Sequence, residues 1–152
     1  LTLAGPGTDS GTFDYFTDVI NGEEGASRSD YSASENDNVI VQGVSGEQGG
    51  LGYFGFSYYE ENQDTLKALA VDGGNGCVEP SVEVAQSGEY TPLSRPLFIY
   101  VKNESLERPE VTAFVEFVLD NGQQIAETAL FVPLNDEQLE ESRSRFEEAA
   151  GV

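Results

Sequence analysis

The sequence predicts an α/β domain, and three features carry that expectation. Short β-branched or aromatic runs alternate with amphipathic helical patterns through residues 1–90. A glycine-rich turn, Gly5 to Gly11, leads from an apolar opening run into a helical one. Hydrophobic residues make up 38% of the 152, enough for one domain with a core but not for two comfortable ones.

Leu1-Thr2-Leu3-Ala4 reads as a strand ending at Gly5-Pro6-Gly7. The chain opens as if cut into that strand, without a basic-then-apolar leader pattern, and is expected to be a piece of a longer protein. Ser10 then opens a helix with Phe13, Phe16, Val19 and Ile20 on one face, and Asn21-Gly22 stops it. From Glu23 to Asn38 the chain is polar and serine-rich, too long for a tight connection and so a candidate functional loop. Residues 38–44 are ambiguous: Val39, Ile40 and Val41 favour a strand, whereas Asp37 as a cap favours a helix. Leu51 to Gly55 is strand-like, Tyr58 to Leu66 reads as a short helix, and Lys67 to Val71 as the strand after it. A turn at Asp72 to Gly76 precedes a helix start at Glu79-Pro80-Ser81. Leu97 to Val101 has the pattern of a buried strand. Pro109 opens a helix whose apolar face is Val111, Phe114, Val115, Val118 and Leu119, and Asn135 to Ala150 forms a last, acidic helix.

The formal charge is −21, from 28 acidic residues against seven basic ones, of which only Lys67 and Lys102 are lysines. Such a chain lacks the cationic face that nucleic acid or an anionic membrane demands. Two readings of the acidity stand: an acidic interaction surface, or a halophilic solvation strategy in which carboxylates hold water at high salt. At about 1 M salt the screening length falls to roughly 3 Å, which makes self-repulsion tolerable. The even spread of acids along the chain favours the second. No apolar run approaches the roughly 18 residues that span a bilayer. Cys77 is alone: a free, half-buried thiol, or one half of a bridge to a cysteine elsewhere. Histidine is absent, which removes the commonest general base and the commonest transition-metal ligand.

The segment Gly5-Pro6-Gly7-Thr8-Asp9-Ser10-Gly11-Thr12 carries the chemistry. At the start of a helix, the N–H groups of Gly11, Thr12 and Phe13 have no partner inside it, and the helix dipole adds partial positive charge. Ser10 and Thr12 contribute hydroxyl donors. The same residues are equally consistent with an ordinary serine cap after a glycine turn. A Ser–His–Asp triad is impossible without histidine, and a phosphate-binding loop of the Gly-Lys-Ser/Thr type lacks its lysine. The Asp72 turn lacks the alternating acidic ligands of a calcium loop, and pairs such as Glu60-Glu61 read as a solvated face. No metal, cofactor or catalytic group is expected.

The run Gly5 to Phe16 resembles the PstS-type phosphate-binding receptors of phosphate-specific ABC transporters. The likeness continues through Ser34-Glu35-Asn36-Asp37-Asn38 with Val41-Gln42-Gly43-Val44, through Leu51-Gly52-Tyr53-Phe54-Gly55 with Tyr58-Tyr59, and ends in Tyr90 to Val101. The resemblance implies a periplasmic-binding-protein type II fold of two lobes, roughly twice this length, closing on inorganic phosphate. Residues 1–96 would be its second lobe, and residues 97–152 a strand and helices returning to the first, a C-terminal helical return segment. Residues 38–44 would then be helical.

By the family pattern, Ser10, Gly11 and Thr12 donate to the phosphate. Many relatives place an arginine four residues before this serine, where the present chain has Pro6. Arg28, in the polar loop, is the candidate replacement, with a solvated counterion as the plainer reading. Arg95 is expected to brace the crossover between lobes. The resemblance further implies ABC transporter permease subunits as partners and a periplasmic or extracellular location, with a lipid anchor left open. Self-association of the fragment through residues 97–134 is expected. Alternatives are a receptor for another tetrahedral oxyanion, an enzyme such as a phosphatase on the same cradle, or a non-binding acidic structural surface domain. The lack of histidine and of clustered metal carboxylates weighs against the enzyme.

Overall fold

A computed structural model describes residues 1–151. The chain divides into two compact units, Leu1–Arg95 and the remainder from Pro96.

The first unit is built on three parallel strands. Strand β1 (Thr2–Gly5) lies between β2 (Ser32–Ala33) and β3 (Gly50–Gly52), with Ala4 opposite Ser32 on one side and Gly52 on the other. Parallel strands need a crossover between them, and the chain supplies helices. Helix α1 (Gly11–Phe16) follows β1 and runs on as a π-helical turn over Thr17–Asn21. Thr17 explains the widening: its buried hydroxyl donates to the Phe13 carbonyl and accepts the Gly25 N–H, both at 2.8 Å. Gly22, at φ 78°, then ends the helix in the left-handed region, at the Asn21-Gly22 stop.

Helix α2 (Asp37–Ser45) follows β2 and settles the ambiguity of residues 38–44 as helix. Its cap is Asn36, whose side chain accepts the Asn38 N–H, rather than Asp37. Ile40 and Val41 are buried, and the helix packs on β1 and β3. Burial of that face outweighs the weak strand preference of its β-branched residues. The core of this unit is Ala4, Phe13, Ile40 and Val41, with Pro6 fully enclosed.

Beyond β3, helix α3 (Phe56–Glu60) is shorter than the expected Tyr58–Leu66 and gives way to turns. Residues 67–71 do not form a full strand. Only Val71–Asp72 (β4) pairs, antiparallel, with Cys77–Val78 (β5). The Asp72 carboxylate closes this hairpin by accepting the N–H groups of Gly74 and Gly76 at 2.8 and 3.0 Å. Cys77 is a free thiol and is exposed, not half-buried. Helix α4 (Val82–Ser87) starts where expected, capped by Ser81.

The second unit is helical: a 3₁₀ turn (Asn103–Glu107), α5 (Pro109–Asp120), α6 (Gly122–Thr128) and α7 (Asp136–Ala150). Asn135 and Gln138 form a reciprocal capping box at the start of α7. Arg143 ties α7 to α5 through the Asp120 carboxylate at 2.8 Å and the Leu119 carbonyl at 3.1 Å. The strand expected at Leu97–Val101 is not formed. A strand needs a neighbour to complete its hydrogen bonds, and the described residues of this unit contain none. Tyr100 is 89% exposed, and Phe114, expected on the buried face of α5, is 61% exposed; Val115 alone of that face is buried.

The tight seat of α2 on the sheet yields a prediction. A Cβ on Gly52 would lie 2.6 Å from the Ala4 carbonyl oxygen and 2.8 Å from Val44 Cγ2. Gly52→Ala therefore destabilises the first unit by about 1–3 kcal/mol through overpacking. Urea denaturation measures this, and a midpoint equal to that of the unsubstituted protein would contradict the packing described.

Candidate anion-binding site

Because β1, β2 and β3 are parallel and each leads into a helix, three helix N-termini meet one edge of the sheet. The residues between each strand and its helix, Pro6–Ser10, Ser34–Asn36 and Tyr53–Gly55, form that edge. In open α/β sheets this carboxyl edge is where ligands bind.

At its centre stands the start of α1. The Ser10 N–H bonds the Gly7 carbonyl at 3.2 Å, fixing the turn. The Ser10 hydroxyl oxygen accepts the Thr12 N–H at 3.2 Å, which is the cap read from sequence. The Gly11 and Phe13 N–H groups have no partner among the described residues. Ser10, Gly11 and Thr12 are thus brought together, with two free amides and two hydroxyls at the positive end of the helical run 11–21. An arrangement of this kind holds an anion by hydrogen bonds rather than by ion pairing.

Arg28 is placed differently. Its guanidinium grips Asp30 in a two-pronged bond at 2.6 and 2.7 Å, with 65% of its side chain exposed. The hydrogen bond raises the Arg28 pKa and holds the Asp30 carboxyl below its ordinary value. The cation found against α1 is Arg95, which sequence reasoning assigned to the crossover. Its Nη2 donates to the Gly11 carbonyl at 3.4 Å, and its guanidinium lies 4.8 Å from the centre of the Tyr15 ring. The signal available in the sequence was scarcity: only Arg28, Lys67 and Arg95 are basic in the first unit.

The loops after β2 and β3 brace the turn. Tyr31 donates to the Pro6 carbonyl at 2.7 Å. The Glu35 carboxylate lies across Gly7, where a Cβ would meet its Oε1 at 2.0 Å, and accepts the Asp9 N–H at 3.4 Å. Sequence reasoning missed both braces, since neither follows from local spacing. Burial pushes the Tyr31 phenol up, and the nearby Glu35 charge adds to the shift. Asp37 is likewise raised by burial, opposed by backbone hydrogen bonds that include Gly55. Tyr53 stacks on Phe16 with ring centres 3.9 Å apart, and burial pushes its phenol from 10.0 up to about 12. Among the described residues no cluster of three or more acidic, cysteine or histidine side chains could hold a metal, and no helix is long and apolar enough to cross a membrane.

A profile of the PBP superfamily domain matches residues 1–121. The chain belongs to that family. Its PBP-like α/β fold is shared with a solved relative, a "possible phosphate binding protein" from Planctomyces limnophilus DSM 3776. The two superpose with a TM-score of 0.88 at 48% identity, over 97% of this chain and 53% of that one. Protein SphX of Synechococcus elongatus is 48% identical over 147 residues, which is 96% of this chain and 43% of that protein. The phosphate-binding protein PstS of Staphylococcus epidermidis (strain ATCC 35984) is 40% identical over 136 residues, 87% of this chain and 40% of that protein. This PBP superfamily domain therefore spans less than half the length of the curated relatives it matches.

The aromatic brace has a pH signature. Tyr53 holds its proton more tightly folded than unfolded, so its contribution is intact below pH 10 and is lost as pH rises towards about 12. Denaturant melts across that window should show stability falling with pH, and Tyr53→Phe should flatten the fall. An identical alkaline slope in Tyr53→Phe would assign the loss to other groups.

Proposed function

We propose that this chain is the second-lobe part of an extracytoplasmic solute-binding protein that takes up inorganic phosphate for an ABC transporter. The observation that carries the proposal is the start of α1, where the Ser10 and Thr12 hydroxyls and the free Gly11 and Phe13 amides stand at the carboxyl edge of a parallel sheet. The names of the relatives support phosphate over other tetrahedral oxyanions. The protein acts in the periplasm or outside the cell and hands phosphate to permease subunits, without catalysis.

Phosphate carries about two negative charges near neutral pH, and the proposed site offers it the free amides and hydroxyls of the α1 start. Ser10, Gly11 and Thr12 form the core of the proposed site. Arg28 enters as a cation that exchanges Asp30 for the ligand, made feasible by the solvent exposure of that pair.

Calorimetric titration of the intact receptor tests these roles. Ser10→Ala and Thr12→Ala should each weaken phosphate binding about tenfold or more, since hydrogen bonds to charged groups contribute roughly 1.5–3 kcal/mol. Thr12→Ala leaves the helix cap in place, so its loss reports on the ligand alone. Arg28→Ala should cost more than either. Unchanged affinity would leave Arg28 as the partner of Asp30 only, and affinity for sulfate in place of phosphate would favour another oxyanion.

The second unit enters the proposal through its uncovered apolar groups. Leu97, Phe98, Ile99 and Tyr100 are each exposed, as are Phe114 and Phe117. In the two-lobed receptor, strands of the first lobe would cover them. The 152-residue chain expressed alone should instead associate with itself through residues 97–134. Light scattering at several concentrations should show mass rising with concentration, and a constant monomer mass would reject this assignment of the return segment.

A further inference from the structure

We infer that Arg95 is a second cation of the anion site, holding positive charge on the first residue of α1 for the bound ligand; this rests on the reading of α1 as the phosphate site. The guanidinium contacts Gly11 directly: Nη2 donates to its carbonyl at 3.4 Å and lies 3.6 Å from where a Cβ would stand. Gly11 is also the residue whose N–H is free for an anion.

Two tethers hold the segment before Arg95, one to α1 and one to α4. Tyr15, one turn along α1, donates to the Pro92 carbonyl at 2.5 Å, and the same ring lies under the Arg95 guanidinium at 4.8 Å. Ser94 is fixed in turn by donating to the Ala85 carbonyl at 2.7 Å. Stacking on an aromatic face suits a guanidinium and leaves most of its five N–H donors unused.

The charge environment makes the placement informative. Arg28, Lys102, Arg108, Arg143 and Arg145 each pair with a carboxylate. Arg95, like Lys67, has no carboxylate partner among the described residues, in a chain of net charge −21. A cation at the positive end of a helix is also opposed by the helix dipole. Both features are unfavourable in the empty protein, and both reverse when an anion binds between the guanidinium and the helix start. The Pro6 position, which carries no charge, does not supply that cation; Arg95 reaches the same helix start from the far end of the unit.

The test is phosphate titration of the intact receptor with Arg95→Gln, Arg95→Lys and Ser10→Ala, each with a thermal melt. Arg95→Gln should weaken phosphate binding about tenfold, the scale of one charge-assisted hydrogen bond, while Arg95→Lys recovers to within about threefold. The salt dependence of binding should become shallower in Arg95→Gln, because one cation has left the site. Wild-type affinity in Arg95→Gln beside weakened Ser10→Ala would overturn the inference and leave the site standing. Equal losses in Arg95→Gln and Arg95→Lys would also overturn it, since packing on Tyr15 rather than charge would then be at stake. No phosphate binding by the unsubstituted receptor would sink the site and the inference together. Should Arg95→Gln fail to fold, phenylglyoxal labelling of the unsubstituted receptor decides: saturating phosphate should protect Arg95 and leave Arg108 reactive, and equal labelling of Arg95 with and without phosphate refutes the role.

Discussion

With β2 on one edge of β1 and β3 on the other, the backbone of the central strand is satisfied only by parallel neighbours. Parallel pairing obliges the chain to cross the sheet before it returns, so each strand ends at the same edge and each crossover begins there. The three helix starts, at Gly11, Asp37 and Phe56, are consequences of that one constraint. So is the tight seat of α2, since the β2–β3 crossover must pass over β1 and touch both β1 and β3. Gly50 and Gly52 sit where the crossover and the central strand come too close for any side chain. The edge that results gathers three helix N-termini, whose dipoles place partial positive charge there even though Asp14 and Glu35 stand close by.

Legibility in the sequence followed the range of the interactions. The Ser10 cap, the Gly22 stop, the Ser81 cap and the Pro109 start depend on residues within a few positions, and each was readable. Strand β2 was not, because Ser32 and Ala33 have no strand preference and pair only because β1 lies beside them. The segment Leu97–Val101 shows the converse. Its pattern is that of a buried strand, yet pattern alone forms no ladder, and the described unit offers no neighbour. Residues 38–44 were ambiguous because β-branching and capping disagreed, and burial of Ile40 and Val41 decided for the helix. At the site, the α1 start was legible as a motif. Its braces from Tyr31, Glu35 and Arg95 come from 25 or more residues away in sequence, beyond any local signal.

The braces matter because an amide cradle works only when its atoms are already in place. Tyr31 holds the Pro6 carbonyl, Glu35 fills the space beside Gly7, and the Phe16–Tyr53 stack joins the far side of α1 to the end of β3. The turn is therefore held by the neighbouring loops of the sheet edge as well as by its own Ser10–Gly7 hydrogen bond. The raised Tyr31 and Tyr53 phenols have the same origin as the rigidity: both hydroxyls sit in poorly hydrated surroundings, where ionisation is disfavoured.

For an acidic chain, the proposed recruitment of an anion requires that long-range and short-range electrostatics be separated. At physiological salt the screening length is about 8 Å, so most of the carboxylates behind a net charge of −21 act weakly on a ligand already at the α1 start. Contacts at hydrogen-bond distance are hardly screened at all. In the proposed site, the free Gly11 and Phe13 amides and a guanidinium on Gly11 would therefore outweigh a much larger but more distant negative charge. Asp9, Glu35 and Asp14 in the first turn of α1 are carboxylates close to that start, and the Glu35 carboxylate is turned onto Gly7 and the Asp9 N–H. The acidity of the chain and the proposed anion site at its sheet edge are thus compatible, because they operate at different distances.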